Sequence, residues 1–337
     1  MNRVRLADVA ARAGVSTATV SHVLRGGGGG TIRVSETTAR AVRHAAQELG
    51  YVPSAAARGL AAGSSGRVAI MVPYLYNPYF AHMAQTLILA LEERGMTTTL
   101  RLAHDAEAER DAVLGRTTGD VDGVIVCPHF LSAEMLDGAS PARPVVQVGG
   151  SPTEGIDCVV MGEQEGMVAA ARHLLARGRR RIAYVADPWI RRGRSERFEG
   201  YRRGLAEHGL EVDPALVIEG SDWDRRGSGL DAMVGLLRSG AEIDAAICVN
   251  DAVAVGALRA LSRAGVRVPG DVALTGFDAT EEAAFTSPPL TSVDPGVQGM
   301  AELGVEMLVA RLAGEAGPAR RVSAPPQLVI RASTASA

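Results

Sequence analysis

Lysine is absent from the sequence, so every strong cation is an arginine; we read this as compositional bias, not as function. Cysteine is scarce. Cys127, Cys158 and Cys248 are odd in number and widely spaced, and two of them sit in apolar, strand-like runs. That pattern argues against a disulfide set or a zinc site and fits buried thiols in a reducing compartment. No apolar run approaches the ~18 residues of a membrane span, and the N-terminus has no apolar leader core. A cytoplasmic chain with no membrane partner is expected. The first strand-like run is followed by PYLYNPYF (73–80) and not by a G-x-G-x-x-G turn. No pairing of a nucleophile with a base is evident either. No catalytic residue, metal or cofactor is expected.

What is present starts with size. At 337 residues, 47% of them hydrophobic, the chain has room for about two domains or more with large cores. The net charge of −3 hides an asymmetry. Residues 1–66 carry eight arginines against Asp8, Glu36 and Glu48, a balance of +5; the other 27 arginines and 35 acids give −8. A basic head on an acidic body suits a small polyanion-binding module joined to something else, although chance surface variation gives the same sums.

Residues 5–26, RLADVAARAGVSTATVSHVLRG, read as two short helices around a tight turn. Leu6, Val9, Ala10 and Ala13 follow helical spacing. Gly14 ends the first helix, Val15 fills the corner, and Ser16 caps the second. With Val20, Val23 and Leu24 turned inward, Thr17, Ala18, Ser21 and His22 face out. A helix-turn-helix lays such a second helix in the DNA major groove; an ordinary helical hairpin is commoner in general but is disfavoured at this position with this turn. A third helix runs from its cap Ser35 to Leu49, after five consecutive glycines (26–30) that are costly to order. Residues 1–53 form the headpiece. Residues 54–66, SAAARGLAAGSSG, read as a hinge helix and linker that order only when packed.

From Arg67 onward short apolar strands alternate with helices: strands at 67–73, 97–102, 122–127, 145–150, 181–186, 245–250 and 271–277, helices near 80–94, 107–118, 195–208 and 251–264. Continuous apolar strands between helices imply parallel sheets covered on both faces, and the length exceeds one such sheet. The fold class is therefore an all-α helix-turn-helix headpiece plus an α/β core of two doubly wound parallel-sheet subdomains.

Two stretches carry a wider resemblance: DVAARAGVSTATVSHVLRG (8–26) and VSETTARAVRHAAQELGYVPSAAARGLAAG (34–63), with RAST at 331–334 closing the chain. On these the protein resembles the lactose/galactose-repressor family of bacterial transcription regulators. The resemblance implies a periplasmic-binding-protein-like core crossed three times by the chain, near 162, 292 and 322. Subdomain N is then 67–161 and 293–321, with the helix 297–313, and subdomain C is 162–292 and 322–337. It implies double-stranded operator DNA as partner and a homodimer. Only three residues follow RAST, so no heptad tail is expected to build tetramers.

For DNA, Ala18 can pack on a thymine methyl, and Thr17 and His22 can hydrogen-bond base edges. The family usually has Arg at the slot of His22 and Asn at that of Arg25, which is left to reach a phosphate. Thr19, Ser21, Ser35 and Arg58 are candidate phosphate contacts, which position without specifying. The resemblance makes Leu60 a minor-groove wedge; the alternative is packing on its dimer mate.

Ligands of open α/β sheets bind at strand C-termini. Residues that fall there are Tyr74–Phe80, including Asn77 and Tyr79, then Pro128 and His129, Arg197, Trp223, Asn250, Asp251 and Asp278. Arginine and carboxylates fork across hydroxyls while an aromatic ring stacks, as carbohydrate demands. The resemblance assigns effector contact to Asn77, Phe80, Arg197, Trp223, Asn250 and Asp278. Asp251 is equally a helix cap, Trp223 a core aromatic, and Arg197 a partner of Glu196 or Glu199. Tyr74, the GEQEG run (162–166) and Pro295 depart from the family pattern. The expected function is an effector-gated repressor answering to a sugar-like metabolite. The alternatives are a non-sugar effector such as a nucleobase or, less favoured, a solute-binding protein.

Overall fold

The computed structural model describes residues 4–24, 34–51, 64–128, 130–131, 133–136, 138–188, 190, 195–220 and 225–335. The chain divides into two compact units, Met1–Gly66 and Arg67–Ala337.

The first unit holds α1 (Leu6–Ala13), α2 (Thr17–Leu24) and α3 (Glu36–Glu48). Gly14 takes the left-handed conformation at φ 63°, which costs glycine little, and Val15 N donates to Ala10 O at 3.1 Å to close α1. Arginine has no acceptor, so Arg5 cannot cap α1 with its side chain; instead its backbone N donates to Asp8 Oδ2 at 2.7 Å. Ser16 and Ser35 are the caps their type suggests, accepting from Thr19 N and Thr38 N, each at 3.1 Å. Val9, Ala10, Val20, Val23, Ala39, Val42, Ala45 and Ala46 make the core.

The second unit contains two six-stranded sheets. The first comprises β1 (Arg67–Val72), β2 (Thr97–Leu102), β3 (Gly123–Val126), β4 (Val145–Val148), β5 (Asp157–Val160) and β11 (Arg321–Ser323), ordered β11-β5-β4-β3-β1-β2 and parallel throughout. The second comprises β6 (Ile182–Val185), β7 (Val217–Ile218), β8 (Ala245–Cys248), β9 (Ala273–Phe277), β10 (Thr291–Asp294) and β12 (Gln327–Val329), ordered β12-β10-β9-β8-β6-β7, with only β12 antiparallel. Helices α4 (Pro78–Glu92), α5 (Ala106–Val113), α6 (Ala133–Leu136), α7 (Glu163–Ala176), α8 (Glu196–Ala206), α9 (Arg226–Arg238), α10 (Asp251–Arg263), α11 (Glu281–Ala284) and α12 (Val297–Leu312) connect the strands. Most core strands are buried along their length, as sheets covered on both faces require.

The chain passes from the first sheet to the second at 161–162, near the expected place. The return comes later than expected: β10 pairs with β9 through Val293, so the passage follows Asp294 and not residue 292. The third crossing also shifts. Val322 pairs with Val159 in the first sheet, so the chain leaves it only at 324–326. Strands β10 and β11 are too short for hydrophobic patterning to reveal. The crossings lie together: a Cβ on Gly162, at φ 66°, would come within 2.7 Å of Pro326 Cδ. Strands β5, β7, β10, β11 and β12 and helices α6, α7, α9 and α11 were not anticipated. The three cysteines are buried, and burial pushes the thiols of Cys127 and Cys158 up to about 12, so they are inert.

Candidate functional site

On α2, burying Val20 and Val23 leaves Thr17 and Ala18 exposed and Thr19, Ser21 and His22 half-exposed. The hydroxyl of Thr19 pairs with Ser16 Oγ at 2.9 Å and that of Ser35 with Thr38 Oγ1 at 2.8 Å, so both already serve their helix starts. Arg25, Arg58 and Leu60 lie outside the described residues, as do His129 and Trp223.

In the core, both sheets change strand direction of progression at their first strands, β1 between β2 and β3, β6 between β7 and β8. Crevices at such switch points are where open sheets bind ligands. A cleft lies there, lined by Asn77, Tyr79, Phe80, Pro128, Arg197, Asn250 and Asp278, together with Val148, Gly149, Gly150, Met161 and Glu163. It thus gathers six of the eight effector candidates, from segments distant in sequence. Asn77 and Asn250 are helix caps as well, accepting from Tyr79 N at 3.0 Å and Val253 N at 2.9 Å. Capping fixes their side chains at the cleft.

Arg197 is the centre of the site. It is 4% exposed. Its Nε donates to Glu163 Oε1 at 2.8 Å and its Nη1 to Val249 O at 2.6 Å. Nη2 donates to Met161 Sδ at 3.3 Å and lies 3.8 Å from Asp278 Oδ1. The guanidinium sits 4.1 Å over the Phe277 ring, a cation–π contact. Burial works against its charge, yet the carboxylates of Glu163 and Asp278 hold its pKa above the ordinary arginine value. Neither Glu196 nor Glu199 is its partner in this arrangement: Glu196 accepts from Gln164, and Glu199 from Arg202.

Asp278 adopts φ 102°, uncommon for a residue with a side chain, and its N donates to Val293 O at 2.8 Å. Strained backbone of this kind collects at functional sites. Asp251 is neither a cap nor a lining residue. It is buried, accepting from Thr280 N at 2.7 Å, Thr280 Oγ1 at 2.9 Å and Ser292 Oγ at 2.5 Å. It ties α10 to the loop that carries Asp278. Burial pushes its pKa up to about 6, despite these donors.

In the loop before Asn77, Tyr74 and Tyr76 lie 4.9 Å apart, and Arg225, from the start of α9, stands 4.9 Å over the Tyr76 ring. Glycines 149 and 150, Val148, Met161 and Glu163 were missed as lining residues. The signal for the first three was VVQVGG ending at a strand C-terminus; for Glu163 it was a charge following the apolar run DCVVM.

A family model described as bacterial regulatory proteins, lacI family, matches residues 5–54, and a periplasmic binding protein-like domain matches residues 171–334. The HTH-type transcriptional regulator CelR of Thermobifida fusca is 35% identical over 346 residues, covering 98% of each chain.

The chain belongs to the lacI family of bacterial regulatory proteins.

This lacI-family chain is a DNA-binding transcriptional regulator. A solved CelR–cellobiose complex has a TM-score of 0.70 to it at 33% identity, covering 98% of this chain and 100% of that one. The lac repressor dimer bound to operator and the anti-inducer ONPF has a TM-score of 0.88 at 26% identity, covering 99% and 100%. The lacI-family fold, a helix-turn-helix and a two-sheet core, is the one described above. Among the described residues no helix is long and apolar enough to cross a membrane.

Proposed function

We propose that this lacI-family regulator is a repressor that binds a pseudo-palindromic operator as a homodimer and is controlled by a sugar in the core cleft. One observation carries the sugar reading: Arg197, Asp278, Asn77 and Asn250 converge on one cavity beside the apolar ring of Phe80. Hydroxyls and a ring face together are what a carbohydrate offers. That CelR was solved with cellobiose supports the same choice. A sugar with unequal affinity for two states of the core shifts operator affinity by linkage. In the headpiece, Thr17, Ala18 and His22 read bases; Thr19, Ser21, Ser35, Arg25 and Arg58 hold phosphates; Leu60 wedges the minor groove. His129 and Trp223 complete the effector site.

The test is operator binding by fluorescence anisotropy, with cellobiose, glucose, hypoxanthine and amino acids as effectors. A sugar is expected to shift operator affinity. Asp278→Asn, which tolerates positive φ, is expected to abolish that shift and leave effector-free affinity within about twofold. A response to hypoxanthine or an amino acid with none to sugars overturns the reading, as does a full sugar response in Asp278→Asn.

A further inference from the structure

We propose that the cleft takes an uncharged polyol and that Glu163 excludes sugar acids and sugar phosphates from it. This rests on the sugar reading above and narrows it to one charge class.

Among the described residues lining the cavity the charged ones are Arg197, Glu163 and Asp278, one cation against two carboxylates. The cation is already engaged on three sides. Its Nε faces Glu163 at 2.8 Å, its Nη1 the Val249 carbonyl at 2.6 Å, and its Nη2 Met161 Sδ and Asp278. A ligand carboxylate or phosphate entering here meets a guanidinium whose charge is spent on two protein carboxylates. It also meets the excess carboxylate in a low-dielectric setting, where like charges repel strongly. Glu163 is the first residue of α7, where unpaired backbone N–H groups would otherwise favour a ligand anion. Its own carboxylate already supplies a negative charge in that first turn.

The remaining polar equipment suits hydroxyls. The Tyr79 hydroxyl is buried and has no hydrogen-bond partner among the described residues. It reaches the wall of the cleft, 3.4 Å from where a Cβ on Gly149 would stand. Burial above all, with nearby negative groups, holds it neutral. A neutral phenol both donates and accepts, and a carboxylate only accepts. A sugar hydroxyl can meet the phenol in either role, whereas a ligand carboxylate can only accept from it.

Calorimetry on the full chain with matched probes tests this: cellobiose against cellobionate, and glucose against gluconate and glucose 6-phosphate. The neutral member of each pair is expected to bind about tenfold or more tighter than its anion. Glu163→Gln keeps an Oε1 acceptor for Arg197 and removes the charge, so the preference should shrink severalfold. Glu163→Asp keeps the charge and should keep the preference; thermal melts check that both fold. If Glu163→Gln does not fold, the matched pairs on the unaltered protein decide alone. An anion that binds as tightly as its neutral partner, or unchanged discrimination in a folded Glu163→Gln, overturns the proposal and leaves the sugar reading standing. Binding of no sugar of either kind overturns both.

Discussion

In the headpiece, Thr17, Ala18, Ser21 and His22 stand on the outer face of α2 because Val20 and Val23 turn inward on the same helix. In the core, Asn77, Glu163, Arg197 and Asp278 meet only because two sheets bring separate strand ends to one crevice. The first arrangement needs one helix and its periodicity. The second needs strand order, three crossings and a left-handed backbone at Asp278. The groups differ accordingly. Side chains on a helix face stay solvated and act one by one. In the cleft, Arg197, Glu163 and Asp278 set each other's charge balance, so changing one changes the others.

The sharpest break of this contrast is Arg197→Leu. It leaves Glu163 and Asp278 without their shared cation, and loss of one partner from a buried pair costs about 3–5 kcal/mol. Urea unfolding should register that loss, and the sugar response should vanish with it. A variant as stable as the parent would show that the three charges are not coupled.

Protonation probes the same coupling more gently. Burial raises Asp251 in the folded state to about 6, above its ordinary 3.8, so the folded protein holds the extra proton between those values. Its contribution to stability is full below about 4 and falls as pH rises through about 6. Asp251→Asn removes that slope while leaving an amide to face Thr280 and Ser292. Relative to the parent, the variant's urea midpoint should therefore rise between pH 4.5 and 7. A constant difference between the two proteins would place the carboxylate's ionisation elsewhere.

On the reading helix, substitutions should act separately. His22→Ala is expected to relax base choice at one symmetric pair of operator positions, costing about 1–3 kcal/mol per lost base contact, with thermal stability unchanged. Selection from random DNA that returns the parent consensus would remove His22 from the reading face. Ser16→Ala should cost about 1 kcal/mol of headpiece stability through the lost cap on Thr19 N, with base preference intact. A changed consensus would mean that the cap also aims the helix.

Much of the headpiece was legible in the sequence. Gly14, Ser16 and Ser35 each have a chemistry that fits one position at a helix end, and the apolar spacing assigned the outer face of α2. In the core, alternating apolar runs indicated two parallel sheets, and the rule that ligands sit at strand ends picked out Asn77, Phe80, Arg197, Asn250 and Asp278. Short strands such as β11 and β10 carry too few residues for a pattern, which is why the second and third crossings were set too early.

The sequence by itself determined the local chemistry: which residues cap, which turn inward along a helix, which strands are apolar enough to be covered on both faces. Only the tertiary structure decided the partners. Arg197 bonds Glu163 and not its helix neighbours Glu196 and Glu199, and Asp251 braces Thr280 and Ser292 where a cap or a ligand contact was the expectation. The reason is reach. Periodicity speaks for residues one or two helical turns apart, whereas a buried charge takes the nearest group that offsets its desolvation, and strand order alone determines which group that is.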